Sequence, residues 1–167
     1  GLLYGTDRLE TLGDGNPRVG VRRPTYTHGA RVHARIKRLF SINSAIEVDL
    51  TGQVNAEYMK GSQFSGVGGQ ADYTFAGSTS VQPGCKAIIA MPSTTADGSV
   101  SRIVPALCHG AIVTTPRYCV DFVVTDHGIA DLRFQPLQER ARRLIAVSHP
   151  AHREALERHV HATSTAW

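Results

Sequence analysis

Three glycines, Gly66, Gly68 and Gly69, stand between a run of alternating apolar residues and a short helical pattern, in the stretch GSQFSGVGGQAD. Glycine there allows φ > 0 and close backbone approach, and N–H groups at a helix start can face a phosphate, a carboxylate or a developing oxyanion. The same residues equally suit a tight strand-to-helix turn that needs small side chains. Asp72, just beyond, reads as a cap that complements the helix dipole. Upstream, Asn43 ends a short apolar strand, where a buried amide must find partners or cost about 1–3 kcal/mol. Glu47 and Asp49 alternate with Ile46, Val48 and Leu50, so both project from one strand face, as polar surface or toward the glycine loop. Asp126 and His127 suggest an acid/base pair, but neighbours on a strand point to opposite faces, which argues against it.

The elements that must position these residues follow from apolar periodicity. Ile42, Ala45, Ile46, Val48, Leu50 and Val54 flank the turn Thr51-Gly52-Gln53 and predict a short antiparallel hairpin. Residues 71–77 predict a short helix packed under the glycine loop. The run KAIIAM at 86–91 predicts a strand buried on both faces, and 101–104, 111–114 and 120–125 predict three more strands. Before the hairpin, 2–13 reads as a helix, 19–22 as a strand and 30–38 as an amphipathic helix. Residues 137–147 and 152–160 read as closing helices, with Pro136 at the entry to the first and Pro150 between them. Strands first and helices last give an α/β or α+β sheet domain. Residues 1–161 form one domain in this reading, and 162–167 a flexible tail.

Composition excludes several classes. A chain of 167 residues with 41% hydrophobic and 19% charged residues has an ordinary globular balance. Such a chain buries roughly 70% of its unfolded surface, enough for one core. No apolar run approaches the ~20 residues of a membrane span, and no signal segment opens the chain, so a cytoplasmic location is expected. Cys85, Cys108 and Cys119 show no CxxC pairing and read as free thiols. The scattered histidines, among them His149 and His152, suggest no metal site. The net charge of +4 comes mainly from Arg, yet aromatics are only 7%. No nucleic-acid motif accompanies that charge, and a small polyanionic ligand suits it better.

The words INSAIEVDLTGQVNAE, SGVGGQADY, IIAMPST, SRIVP, IVTTPR, VVTDHGIADLR and ERARRLIAVSHPAHREAL occur in this order. Together with LYGTDRLETLGDGNP they closely resemble the C-terminal domain of the acetyl-CoA hydrolase/transferase family, from about residue 3 to about 160. That family includes 4-hydroxybutyrate, butyrate and succinate:acetate CoA-transferases. The resemblance implies a three-layer open-sheet α/β domain of the CoA-transferase type with C-terminal helices, taking coenzyme A as acyl-CoA and needing no metal. By resemblance Asn43 faces the acyl group, and Gly66, Gly68, Gly69 and Gln70 form the turn against the thioester. Gly68 and Gly69 there supply oxyanion donors, each typically worth about 3–4 kcal/mol. Ser93 and Thr94 fall in a cofactor-binding loop in which Ala96 stands close to where many relatives carry Lys. Asp126 and His127 replace a commoner Glu and aromatic pair.

The family implies a glutamyl-CoA thioester on a Glu N-terminal to the matched region. Glu10, Glu47, Glu57, Glu139, Glu154 and Glu157 do not sit in that motif, and the first residue is not Met. The chain therefore reads as a domain piece, a proteolytic product or a split subunit, inactive alone. Its expected activity, with an N-terminal domain or subunit as partner, is moving CoA between a short-chain acyl-CoA and a carboxylic acid or water. An exposed partner face would also favour a homo-oligomer. The alternative is a stand-alone, non-catalytic CoA-binding or regulatory module.

Overall fold

Short β-branched and apolar runs separated by Gly and Pro cannot make long strands, and the fold is built from many brief ones around a few helices. The computed structural model describes residues 5–163. Three short helices come first: α1 (Asp7–Gly13), α2 (Pro24–Thr27) and α3 (Ala30–His33). Then follow β1 (Phe40–Asn43), β2 (Glu47–Asp49), β3 (Val54–Asn55), β4 (Tyr58–Met59), β5 (Ser62–Gln63) and α4 (Gln70–Thr79). After α4 come β6 (Lys86–Ala90), β7 (Ile103–Val104), a 3-10 turn at Arg117–Cys119, β8 (Phe122–Thr125) and β9 (Gly128–Asp131). The helices α5 (Leu137–Ala146) and α6 (Pro150–Ala162) close the fold.

The larger sheet has four strands in the order β1-β6-β8-β9, and the smaller has three in the order β3-β2-β7. In the larger, β1, β6 and β8 run parallel and β9 turns back antiparallel. The hairpin forms between β2 and β3, whereas β1 joins the other sheet beside β6. Ile89, Val123 and Ala130 of the larger sheet meet Val48, Leu50, Val54 and Ile103 of the smaller, with Leu144, Ile145 and Leu156 from α5 and α6. Each such fully buried side chain contributes about 1.5–3 kcal/mol relative to exposure.

Burial alternates strictly along β6, with Ala87 and Ile89 buried and Lys86, Ile88 and Ala90 half-buried. The strand is therefore not closed on both faces. In register with those half-buried residues lie Phe40, Ile42 and, across β8, Ile129, which are 50%, 65% and 68% exposed. The smaller sheet and the helices cover the opposite face. Lys86 and Arg133 lie across the open side, over the ring of Phe122 at 5.5 and 4.5 Å.

Several expected elements differ. Residues 19–22 form no strand: they are mostly exposed and have no strand beside them among the described residues. The helix expected over 30–38 stops at His33, after which i→i+3 bonds (Arg35 N to Val32 O, Ile36 N to His33 O) tighten the chain into turns. Residues 111–114 are not a strand either. Only Thr115 bridges Val54, and Ile112 and Val113 are exposed on both sides of the path. The early helix spans Asp7–Gly13, and the part expected before residue 5 lies outside the described residues. Residue 162, placed in the tail, is the last residue of α6; 164–167 lie outside the described residues.

Candidate functional site

Parallel strands collect their last residues at one edge of a sheet, and in open α/β sheets ligands bind beyond that edge. Asn43 ends β1, the 92–98 loop leaves β6, and Asp126 and His127 leave β8, so all three emerge together. Ser93 ties the last two, donating from its N–H (2.7 Å) and its hydroxyl (3.0 Å) to the Asp126 carboxylate. These bonds, the backbone one foremost, hold the Asp126 carboxyl below the usual carboxylate range. Ser93 is fully buried, so its hydroxyl serves the loop, while the half-buried Thr94 bridges Ser101. Asp97 closes the loop tip: hydroxyl bonds from Thr95 and then Ser99 lower its pKa to about 2. Ala96 is exposed beside it.

Asp126 and His127 do touch, with Nε2 of His127 3.2 Å from Oδ2 of Asp126. The expectation that they diverge fails because they form the two-residue turn between β8 and β9 rather than part of a strand. With Asp126 engaged by Ser93 and His127 edge-on to His149 at 5.2 Å, the pair serves to close a turn.

The glycine turn approaches the same edge. A Cβ at Gly77 would lie 2.7 Å from the carbonyl oxygen of Lys86, so the last turns of α4 sit at the start of β6. The helix runs back against the strands, and its first residues point to the end where β1 stops. Gly69 is the N-cap with φ −99°, and Gly68 has φ +57°. Only Gly68 of these three takes the left-handed conformation that favours glycine. Gly69 is small for another reason: the His28 imidazole packs where its Cβ would be, with the Tyr73 ring 3.1 Å away. At Gly66 and Gly68 a Cβ would meet nothing within 4 Å, so the outer side of the turn is open.

Asp72 makes no capping bond, since the cap position is Gly69 and Asp72 lies inside the first turn. Gln70 donates from Nε2 to Thr115 Oγ1 at 3.1 Å, which anchors the turn to the smaller sheet. Asn43 is half-buried and donates from Nδ2 to Ser41 Oγ at 2.9 Å. Glu47 and Asp49 do share a strand side, but both oxygens of Asp49 and Oε1 of Glu47 are engaged. Asp49 accepts from Thr51 and Gln53, and Glu47 from Asn55 Nδ2 and the Cys108 N–H.

His28 belongs to this site although its spacing does not set it apart from the other histidines. Its Nδ1 lies 2.9 Å from Thr27 Oγ1, and its ring centroid 5.0 Å from that of Tyr73. Nε2 of the buried His33 and the hydroxyl of Tyr73 both meet the Thr27 carbonyl, at 2.9 and 2.8 Å. These bonds pin the N-terminal arm against α4. A cavity of about 540 Å³ opens at Gly68, Gly69, His28 and Asp72. Among the described residues no three His, Cys, Asp or Glu are placed to hold a metal ion, and no helix is long and apolar enough to cross a membrane. The three thiols are free, with Cys119 buried, Cys85 half-buried and Cys108 exposed.

A mixed α/β domain whose parallel strand ends and glycine turn converge on one edge has the layout in which open α/β sheets bind ligands. The chain belongs to the acetyl-CoA hydrolase/transferase family and matches its C-terminal domain over residues 5–160. It is 46% identical over 155 residues to 4-hydroxybutyrate coenzyme A transferase of Clostridium kluyveri, covering 93% of this chain and 36% of that protein. It is 41% identical to succinyl-CoA:cyclohexane-1-carboxylate CoA transferase of Geobacter metallireducens, covering 93% and 35%. Among solved structures, RipA from Yersinia pestis aligns with a TM-score of 0.82 and 36% identity, over 93% of this chain and 34% of that one. The 4-hydroxybutyrate CoA-transferase of Porphyromonas gingivalis aligns at 0.75 and 34%, over 95% and 35%. The chain thus spans about a third of the length of these relatives.

Proposed function

We propose that this chain supplies the oxyanion side of an acyl-CoA hydrolase/CoA-transferase active site, with an N-terminal domain or subunit supplying a nucleophilic Glu. The observation that carries the reading is the glycine turn at the start of α4, open on its outer side and directed to the strand-end edge where Asn43 emerges. In the proposed reaction the Glu carboxylate attacks the thioester carbonyl, and backbone N–H groups of the turn hold the oxyanion. The C–S bond breaks, CoA thiolate leaves, and an acyl–glutamyl anhydride forms. The thiolate then attacks the glutamyl carbonyl and releases the first acid as its carboxylate. A second carboxylate reverses these steps to collect CoA, or water hydrolyses the glutamyl thioester to free CoA and the Glu carboxylate. Gln70 positions the turn, Asn43 offers a side-chain amide to the acyl group, and the 93–94 segment borders the CoA path. Alone, the chain should be inactive.

The test is to combine the chain with the N-terminal part of a family member and follow CoA exchange between acyl-CoA and acetate. Exchange that requires both polypeptides is expected, and Asn43→Ala should lower it less than Gly68→Val does. A stable complex with no exchange and no hydrolysis would count against the reading.

A further inference from the structure

The cavity at the glycine turn shares His28 and Asp72 with a second, apolar groove of about 490 Å³. That groove follows α4 from Ala71 to Thr79, and the ten-residue helix is about 15 Å long. Small side chains, Ala30, Ala34 and Ala76, border it, together with Phe75, Tyr118 and Val81. The last three are 51%, 71% and 92% exposed, a concentration of large apolar surface that marks a binding face. Among the described residues, charged or titratable lining is confined to His28, His33, Asp72, Tyr118 and Cys119, and no Lys or Arg lines the groove.

We propose that this groove binds the acyl chain of a CoA thioester, a neutral saturated chain of medium length, with the thioester carbonyl at the glycine turn. The inference rests on the acyl-CoA reading above and adds the substrate class. The carbonyl end meets the open backbone of Gly68 beside His28, and the chain runs along α4 toward Val81. The groove is longer than an acetyl or butyryl group needs, so added methylenes gain buried surface. A short acyl chain ending in a carboxylate would bring that charge toward the Asp72 carboxylate at the turn end of the groove, with no Lys or Arg among the described lining residues to offset it, which disfavours dicarboxylic acyl groups.

The experiment titrates the 167-residue chain with octanoyl-CoA, acetyl-CoA, succinyl-CoA, free CoA and octanoate by calorimetry. Octanoyl-CoA should bind at least about tenfold more tightly than acetyl-CoA, from partial burial of the added methylenes. Ala76→Trp, which fills the groove, and Val81→Asp, which charges its far rim at an exposed position, should each erase that preference. Ile129→Glu, on the open face of the larger sheet, should leave it intact. Equal affinity for octanoyl-CoA and acetyl-CoA overturns the groove inference and leaves the CoA reading standing. Octanoate binding that the groove variants abolish, with no binding of free CoA or acetyl-CoA, supports the groove and counts against the CoA reading. Loss of octanoyl preference in Ile129→Glu alone, or no binding of any probe to folded protein, overturns the inference. So does light scattering in which the groove variants dissociate a dimer without changing octanoyl affinity, because a second copy then fills the groove.

Discussion

Two glycine turns of the chain, at Gly52 and at residues 66–69, are built in opposite ways. At the first, Asp49 accepts from the N–H and hydroxyl of Thr51 (2.9 and 2.7 Å) and from the N–H and side-chain amide of Gln53 (3.0 and 2.7 Å). The buried Arg140 crosses behind it, donating to the carbonyls of Thr51, Leu132 and Arg117 at 2.7, 2.8 and 2.8 Å. At the second, Phe64 N–H to Glu57 O and Gln63 Nε2 to Ser65 O hold the approach, while the outward side of Gly66 and Gly68 is open. A turn whose polar groups are all engaged internally stabilises the fold and has little left for a ligand. A turn with open backbone contributes less to stability and keeps its donors for chemistry.

That contrast breaks first, and most visibly, at Arg140. Arg140→Met should cost about 3–5 kcal/mol in urea unfolding, because buried carbonyls on three separate segments lose their donor. A loss below about 1 kcal/mol would mean that the Gly52 turn is not held from behind. Next, Gly52→Ala should cost about 2–3 kcal/mol, since φ is +91° and the new Cβ would run into the Arg140 guanidinium.

The matching change at the open turn sharpens the comparison. Gly68→Ala keeps φ +57° but meets open space, so its stability cost should be only about 1–2 kcal/mol. Gly68→Val in the reconstituted enzyme should lower turnover at least ~100-fold, the scale of losing one oxyanion donor. If Gly68→Val unfolds the chain while turnover per folded molecule is unchanged, the turn is structural after all.

The smallest effect is expected at the β8–β9 turn, which lies between the two extremes. Ser93 lowers the folded pKa of Asp126 below its unfolded value, so this stabilisation is present above the unfolded carboxylate pKa and lost as pH falls through the folded one. The stability difference between wild type and Asp126→Asn should therefore be largest near pH 7 and shrink below about pH 4, as read from urea unfolding at both ends. A difference independent of pH would show that the charge on Asp126 does not matter.

Periodicity and turn chemistry revealed much of this molecule. Pro136 marks the entry to α5, the Thr51-Gly52-Gln53 turn marks the hairpin, and a glycine turn does open a helix, whereas Pro150, read as lying between the closing helices, is the first residue of α6. Failures arose where local preference had no tertiary partner to honour it. Val19 and Val21 suit a strand but have no strand beside them among the described residues, and Ile112 and Val113 are exposed, with only an isolated bridge from Thr115 to Val54 after them. The candidate site was partly legible: the glycines, Asn43 and Gln70 stand out by type and resemblance, whereas His28 carries no local mark.

The sequence by itself determined the family, the order of most elements and the glycine turn, because these depend on residues within a few positions of one another. Tertiary structure alone decided that Asp126 meets Ser93 and that His28 covers Gly69. It also decided that Arg140 closes the Gly52 turn and that one face of the larger sheet stays open. Each of those facts joins segments far apart in the chain, and such contacts follow from how sheets and helices pack and not from local spacing.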